Sequence, residues 1–387
     1  VTRTRTLTLT ALVAVSLLAS ACTDNSGGAS GDGDDRTLAV TSTDDGCDVS
    51  STEAPSGTLT FKVENAGSKV TEFYLLDQDG LRIVGEVENI GPGLTRNLVV
   101  TAPTGKYVTA CKPGMKGTGI RADFQVEDSG KALAVSADDA ALVEQASRNY
   151  AAYVQDQSAQ LLAGTRAFVD AYESGDDDRA RALYASTRVH WERIETVAES
   201  FGNLDPEMDL READLEPGQK WTGWHRLEKD LWPPAPYDAL RPKQRTTYAE
   251  DLLANTEELD SRVQDMTFGV DAIANGSRGL LEEVATGKVT GEEEFWSHTD
   301  LWDFQANVDG ARVGFEGVRP VLEGNDKELA ATLDRRFDEL QTLLDQHRRG
   351  DGFVSYDELS DAEVKELADA VNALSEPLSR LTAAVVA

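Results

Sequence analysis

Histidine is scarce in this chain, which makes each one informative. The 387 residues contain four: His190, His225, His298 and His347. His225 lies in Gly223-Trp224-His225-Arg226-Leu227-Glu228, with Glu228 three residues behind it. On a helix that spacing puts both side chains on one face, a turn apart. An imidazole and a carboxylate can then meet one metal ion. The reversed order, Glu-x-x-His, builds the di-iron sites of helical bundles. His190-Trp191-Glu192-Arg193-Ile194-Glu195 adds a second pair, Glu192 and Glu195, also three apart beside an apolar seam. Two carboxylates held together share a proton or a cation. The competing reading is a solvated stripe of Arg188, Glu192, Glu195 and Glu199. Imidazole with several carboxylates suits iron, zinc or manganese better than calcium or magnesium, which take oxygen ligands. Ser297 to Phe304 reads as a capped helix start rather than a ligand source. His347, beside Arg348 and Arg349 and just before Gly350, suits a last helical turn, where cations complement the dipole.

These residues need helices to position them, and the periodicity supplies them. Tyr150, Val154, Leu161, Phe168 and Tyr172 share a face. Ala180, Tyr184, Thr187, Trp191, Ile194, Ala198 and Phe201 form the next seam, and Leu329, Leu333, Phe337, Leu340 and Leu344 a later one. Such seams bury against one another, so residues 141–387 are expected to form a helical bundle. Pro233-Pro234 should stop one helix after Trp232. Residues 37–127 read as β. Leu59, Phe61 and Val63 alternate with polar residues, and short strand-like runs are punctuated by Gly, Pro, Asn and Asp, which predicts a sandwich or barrel. Residues 128–140 are a polar joint.

The β region has no histidine, so a blue-copper set of two His and one Cys is excluded there. Its Cys47 and Cys111 have Glu72, Glu86 and Glu88 for company. They are either thiolates of a thiolate–carboxylate metal site, which would favour copper, or a disulfide stapling a small β domain. Arg3 and Arg5 precede the apolar stretch Ala11 to Ala21, which is too short for a permanent span. Ala19-Ser20-Ala21-Cys22 has the form of a lipobox. Residues 1–22 are thus expected to be a lipoprotein signal with Cys22 lipidated, and residues 23–36, rich in Gly, Ser and Asp, a flexible tether. A formal net charge of -32 repels nucleic acid and attracts cations, although it also serves solubility. No P-loop, dinucleotide fingerprint or nucleophile elbow is present.

Taken together these stretches resemble the EfeO family of bacterial iron-uptake proteins over nearly the whole chain after the signal. The N-terminal likeness is to a cupredoxin-like β-sandwich, through Gly46-Cys47, Thr71-Glu72-Phe73, Gly85 to Ile90 and Tyr107 to Cys111. The C-terminal likeness is to an imelysin-type helical bundle, also classed as peptidase M75. It runs through the segments 190–195, 202–209, 223–232 and 297–311. The resemblance implies an extracytoplasmic, lipid-anchored protein that captures ferrous or ferric iron and works with a membrane permease and a haem peroxidase. It implies helical-domain ligands His225, Glu228, Glu192, Glu195 and Asp209. A further acid comes from Glu282-Glu283, with Glu283 carried as the candidate and the choice left open. It also implies a β-domain site of Cys47, Glu72, Glu86, Glu88 and Cys111, with copper there and zinc as a substitute for iron. Two alternatives follow from the same residues: an M75-type metallopeptidase, and a copper-assisted oxidase of ferrous iron. The chain lacks His-Glu-x-x-His, whose Glu supplies a hydrolase's general base.

Overall fold

Alternation along Gly57–Asn65 buries Leu59, Phe61 and Val63 completely, as a strand with one face on a core requires. The computed structural model describes residues 36–78, 80, 83–115, 117–129 and 140–386. The expected signal segment, Cys22, nearly all of the tether and most of the joint lie outside these residues. Among the described residues nine strands build the β domain: β1 (Thr37–Ser42), β2 (Cys47–Val49), β3 (Glu53–Pro55), β4 (Gly57–Asn65), β5 (Thr71–Asp77), β6 (Ile83–Ile90), β7 (Thr95–Ala102), β8 (Gly105–Cys111) and β9 (Ile120–Glu127). They form a sheet in the order β2-β1-β4-β7 and another in the order β3-β9-β8-β5-β6. Phe61 of the first sheet meets Phe73 and Phe124 of the second at ring-centroid distances of 5.2 and 5.5 Å. Each such buried ring contributes roughly 1.5–3 kcal/mol of apolar transfer. Cys47 on β2 and Cys111 on β8 are joined as a disulfide, which ties the two sheets together.

The helical part comprises α1 (Ala140–Ser174), α2 (Asp177–Glu192), α3 (Glu195–Glu199), α4 (Leu204–Met208), α5 (Trp224–Leu231), α6 (Pro242–Val263), α7 (Val270–Thr286), α8 (Asp300–Asn325), α9 (Lys327–Leu344), α10 (Asp361–Leu378) and α11 (Leu381–Val385). The expected seams are buried: Tyr150, Val154, Leu161, Phe168 and Tyr172 on α1, and Leu329, Leu333, Phe337, Leu340 and Leu344 on α9. α5 stops at Leu231 ahead of Pro233-Pro234.

The seam from Ala180 to Phe201 differs from the expectation. It is not one helix: α2 ends at Glu192 and α3 begins at Glu195. Asn307 of α8 reaches across and donates from Nδ2 to the Glu192 carbonyl at 2.7 Å. Gly310 of α8 lies against the break, where a Cβ would come 2.5 Å from the Arg193 carbonyl oxygen. A neighbouring helix thus bonds one carbonyl of this turn, while Arg193 N and Ile194 N stay bonded within the chain to Val189 O and Trp191 O.

The β domain docks on α7. Thr101 N donates to Asp271 Oδ2 at 2.7 Å, Asn275 Nδ2 to the Val99 carbonyl at 2.9 Å and Arg278 Nη2 to the Glu86 carbonyl at 3.0 Å. Among the described residues no helix is long and apolar enough to cross a membrane.

Candidate metal centre

The interior of the helical domain is polar at its middle. Glu192, His225, Glu228, Glu294, Asp300, Asp303, Asn307 and Arg188 all have zero exposure there. Charged groups are buried only when paired or when they hold an ion.

Arg188, expected on a solvated stripe, is instead the hub. Its Nη2 pairs with Glu192 and its Nη1 with Asp209, while Nε lies 2.6 Å from Glu294 Oε1. The planar guanidinium offers donors in several directions at once and so suits a crowd of carboxylates.

His225 opens the business side of this hub. It sits one residue into α5, whose first turn is set by Gly223 at φ 85°. A Cβ at Gly223 would fall 2.1 Å from the Met208 carbonyl oxygen. The backbone after α4 therefore touches the start of α5, which brings Asp209 up to the imidazole. His225 Nδ1 lies 3.1 Å from Glu228 Oε2. Glu228 Oε1 accepts from the backbone N–H groups of Trp296 and Ser297 at 2.9 and 2.7 Å. His225 Nε2 faces Asp209 Oδ1 and Glu293 Oε1, each at 3.4 Å, and hydrogen-bonds to neither.

That spacing fits a cation. Ligands about 2.0–2.2 Å from a tetrahedral metal stand about 3.4 Å from one another. Asp209, His225 and Glu293 present ligand atoms within 4.8 Å of one another, as do His225, Glu228 and Glu294, and all five residues are buried. Trp191 Nε1 donates to Asp209 Oδ2 at 2.7 Å, and Ser297 Oγ to Glu294 Oε2 at 2.8 Å, so the acids are oriented by neighbours. His298, expected near a helix cap, sits at φ 56° where the chain turns into α8. Left-handed backbone is uncommon for a residue with a Cβ. The helix does start there, but Ser and Thr do not cap it: Thr299 at the cap position makes no side-chain cap bond.

The electrostatics follow from burial and from these neighbours. Burial and Arg188 push His225 down, yet Asp209, Glu228 and Glu293 outweigh them and hold it well above the ordinary imidazole value. Burial opposes the charge of Asp209, but Arg188 and His225 keep its carboxyl below the usual range. Glu293 is likewise held low against burial by Lys288 and His225. Burial and Glu228 push Glu294 up to about 8.

Of the expected helical ligands, the structure gathers Asp209, His225 and Glu228. Glu192 and Glu195 stand apart: Lys288 Nζ lies 2.6 Å from Glu192 Oε2 and 2.7 Å from Glu195 Oε2. Burial lowers Lys288, but the two glutamates keep its ammonium well above the usual value. Glu282 is engaged by Arg96 and Arg278. Burial raises the Glu283 carboxyl against the lowering field of Lys288. The sequence reading missed Glu293 and Glu294. Their signal was the run Glu292-Glu293-Glu294 before the aromatic pair Phe295-Trp296. His190 bonds Gln157 of α1 through Nδ1 at 2.8 Å.

In the β domain the thiolate expectation is corrected. Cys47 and Cys111 are bonded to each other, so neither sulfur is a thiolate, and the soft donors that would favour copper are gone. Glu72 is buried and accepts from Tyr74 Oη at 2.7 Å, with Lys112 Nζ at 3.4 Å. Burial and Glu72 push Glu86 up to about 8. Glu86, Glu88 and Glu283 line a cavity of about 500 Å³ between β6 and α7.

Comparison with known proteins agrees with this two-part architecture. Residues 146–381 match the family model of imelysin, peptidase M75, and residues 9–120 that of the cupredoxin-like domain. The iron uptake system component EfeO of Escherichia coli strain K12 is 38% identical over 345 residues, spanning 88% of this chain and 89% of that protein. The same component of Shigella flexneri gives the same figures. That of Escherichia coli O157:H7 is 37% identical over the same length.

Proposed function

Since the chain belongs to the EfeO family of iron uptake system components, we propose that its helical domain carries an iron ion as cargo, bound by Asp209, Glu293 and Nε2 of His225, with Glu228 holding the other ring nitrogen. The observation behind this reading is the His225 imidazole: fully buried, with Nε2 facing two carboxylate oxygens at 3.4 Å and bonded to neither. Nitrogen with several carboxylate oxygens suits ferrous and ferric iron alike, with zinc as a substitute. The protein works outside the membrane, anchored through Cys22, and delivers its iron to a membrane permease alongside a haem peroxidase. Cys22 itself lies outside the described residues.

Calorimetric titration of the full chain with iron tests the site. His225→Ala and Glu293→Gln should each weaken binding by at least about tenfold, which corresponds to about 1.4 kcal/mol. His347→Ala, in the short turn that follows α9, should bind as the parent does. Parent-like binding by both His225→Ala and Glu293→Gln would place the iron elsewhere.

A further inference from the structure

Another cavity, of about 760 Å³, lies where β7 meets α7, α10 and the turn into α11. Among the described residues its wall carries Arg96, Arg278 and Arg380 against Glu282 and Glu376. The wall is thus positive in a chain whose formal net charge is -32. A local reversal of sign in a concave site draws in anions.

The arginines come from separate elements: Arg96 from β7, Arg278 from α7 and Arg380 from the turn between α10 and α11. Glu282 serves two of them. Its Oε1 pairs with Arg96 Nη1 and lies 3.7 Å from Arg278 Nε. One carboxylate cannot neutralise two guanidiniums. Arg278 is 5% exposed, and its Nη1 and Nη2 donate to the backbone carbonyls of Asn97 at 3.4 Å and Glu86 at 3.0 Å. Its Nε is buried with no hydrogen-bond partner among the described residues, and so is the Ser375 hydroxyl. Buried polar atoms left without partners cost free energy that a bound ligand recovers. Asn372, Ser375 and Ser379, three and four residues apart along α10 and its cap, line the same cavity with one polar face.

We propose that this cleft binds a small polycarboxylate anion. A guanidinium is a planar fork that meets a carboxylate through two parallel hydrogen bonds. Arginines on three elements call for an anion whose charges stand on separate carbon atoms. Phosphate gathers its oxygens around one atom and suits a tighter cradle. The amide and hydroxyls along α10 supply further partners for the ligand's oxygens. A polycarboxylate held in this way bridges β7 to α7 and to the α10–α11 turn, and so fastens the β domain to the helical domain. None of the residues proposed to hold iron lines the cleft, so the two sites are tested separately.

Titration calorimetry of the metal-free full chain with citrate is the test, at fixed ionic strength because salt screens surface charge. One citrate per chain should bind and should raise Tm. Arg96→Gln and Arg380→Gln should each weaken binding by about tenfold or more. Arg349→Gln, at an exposed arginine paired with Glu358, should leave it unchanged. The Arg380 side chain is 64% exposed, so its variant decides the matter even where Arg96→Gln fails to fold. Absence of saturable citrate binding by the parent, or parent-like binding by Arg380→Gln, overturns the proposal. Inorganic phosphate binding as tightly as citrate overturns the assignment to a polycarboxylate.

Discussion

Replacing Arg188 by leucine keeps much of the side chain's bulk and removes the hub charge. Glu192, Asp209 and Glu294 then lose their shared partner while staying buried. Removing one member of a buried ion pair costs about 3–5 kcal/mol, because the other charge is left uncompensated. Three carboxylates share the loss here, and protonation relieves part of it, so the same range is the working figure. For a domain of this size each kcal/mol lowers Tm by about 2–4 °C, so Arg188→Leu should melt about 6–20 °C below the parent. The pH dependence carries the mechanism. Burial already raises the carboxyls of Glu294 and Asp303 against the field of Arg188, and without the guanidinium they rise further above their unfolded values. Their contribution to stability is present at low pH and is lost as pH rises through the folded values. The deficit of Arg188→Leu should therefore be larger at about pH 8 than at about pH 5.5. Urea unfolding of both proteins across that range, followed by circular dichroism, measures it. A deficit below about 1 kcal/mol at the alkaline end would refute the hub argument, since that is the worth of an exposed pair.

Three further outcomes follow from the same geometry. Because His225 is held well above its ordinary value and must be neutral to ligate, metal uptake should release at least about one proton per ion and weaken as pH falls. Calorimetry in two buffers of different ionisation enthalpy reads this directly, and identical heats would contradict it. Gly223→Ala forces a Cβ to within 2.1 Å of the Met208 carbonyl. Asp209 and His225 should move apart and iron affinity should fall by about tenfold or more, or about 1.4 kcal/mol, as titration of the variant would show. Opening the Cys47–Cys111 bridge by a double alanine substitution releases a loop of sequence separation 64. On the chain-entropy account the β domain should lose about 4 kcal/mol. Iron binding at the helical centre should persist, so a titration showing its loss would tie the two domains together energetically.

What the sequence made legible and what it hid divide along a physical line. Period-two alternation around Phe61 and the helical seams on α1 and α9 are statements about one face of one element, and single-element patterns survive folding. His225 and Glu228 were legible for the same reason, being one turn apart on α5. Glu192 and Glu195 lie on either side of the short turn between α2 and α3, where Asn307, more than a hundred residues away, bonds the Glu192 carbonyl, and they share the Lys288 ammonium. Glu293 and Glu294 lie in no long helix, so no periodicity marked them. Only the fold shows Trp296 and Ser297 delivering backbone N–H groups to Glu228 there.

Arg188 and Lys288, both buried, were the hardest to see, and the reason bears on how the centre works. A lone arginine four residues from a glutamate reads as a solvent stripe, because that is what such spacing usually means on a helix surface. The same pair becomes a core feature only when other carboxylates arrive from distant segments, as Asp209, Glu294 and Asp303 do around Arg188. Those acids are more numerous than a single ion requires. Left unpaired, they would take up protons or draw in a second ion. Arg188 and Lys288 answer that excess with charges that cannot diffuse away. On the proposed reading, iron is left to His225 and the acids facing it, where the ligand that must lose a proton to bind is the one a fall in pH would take back.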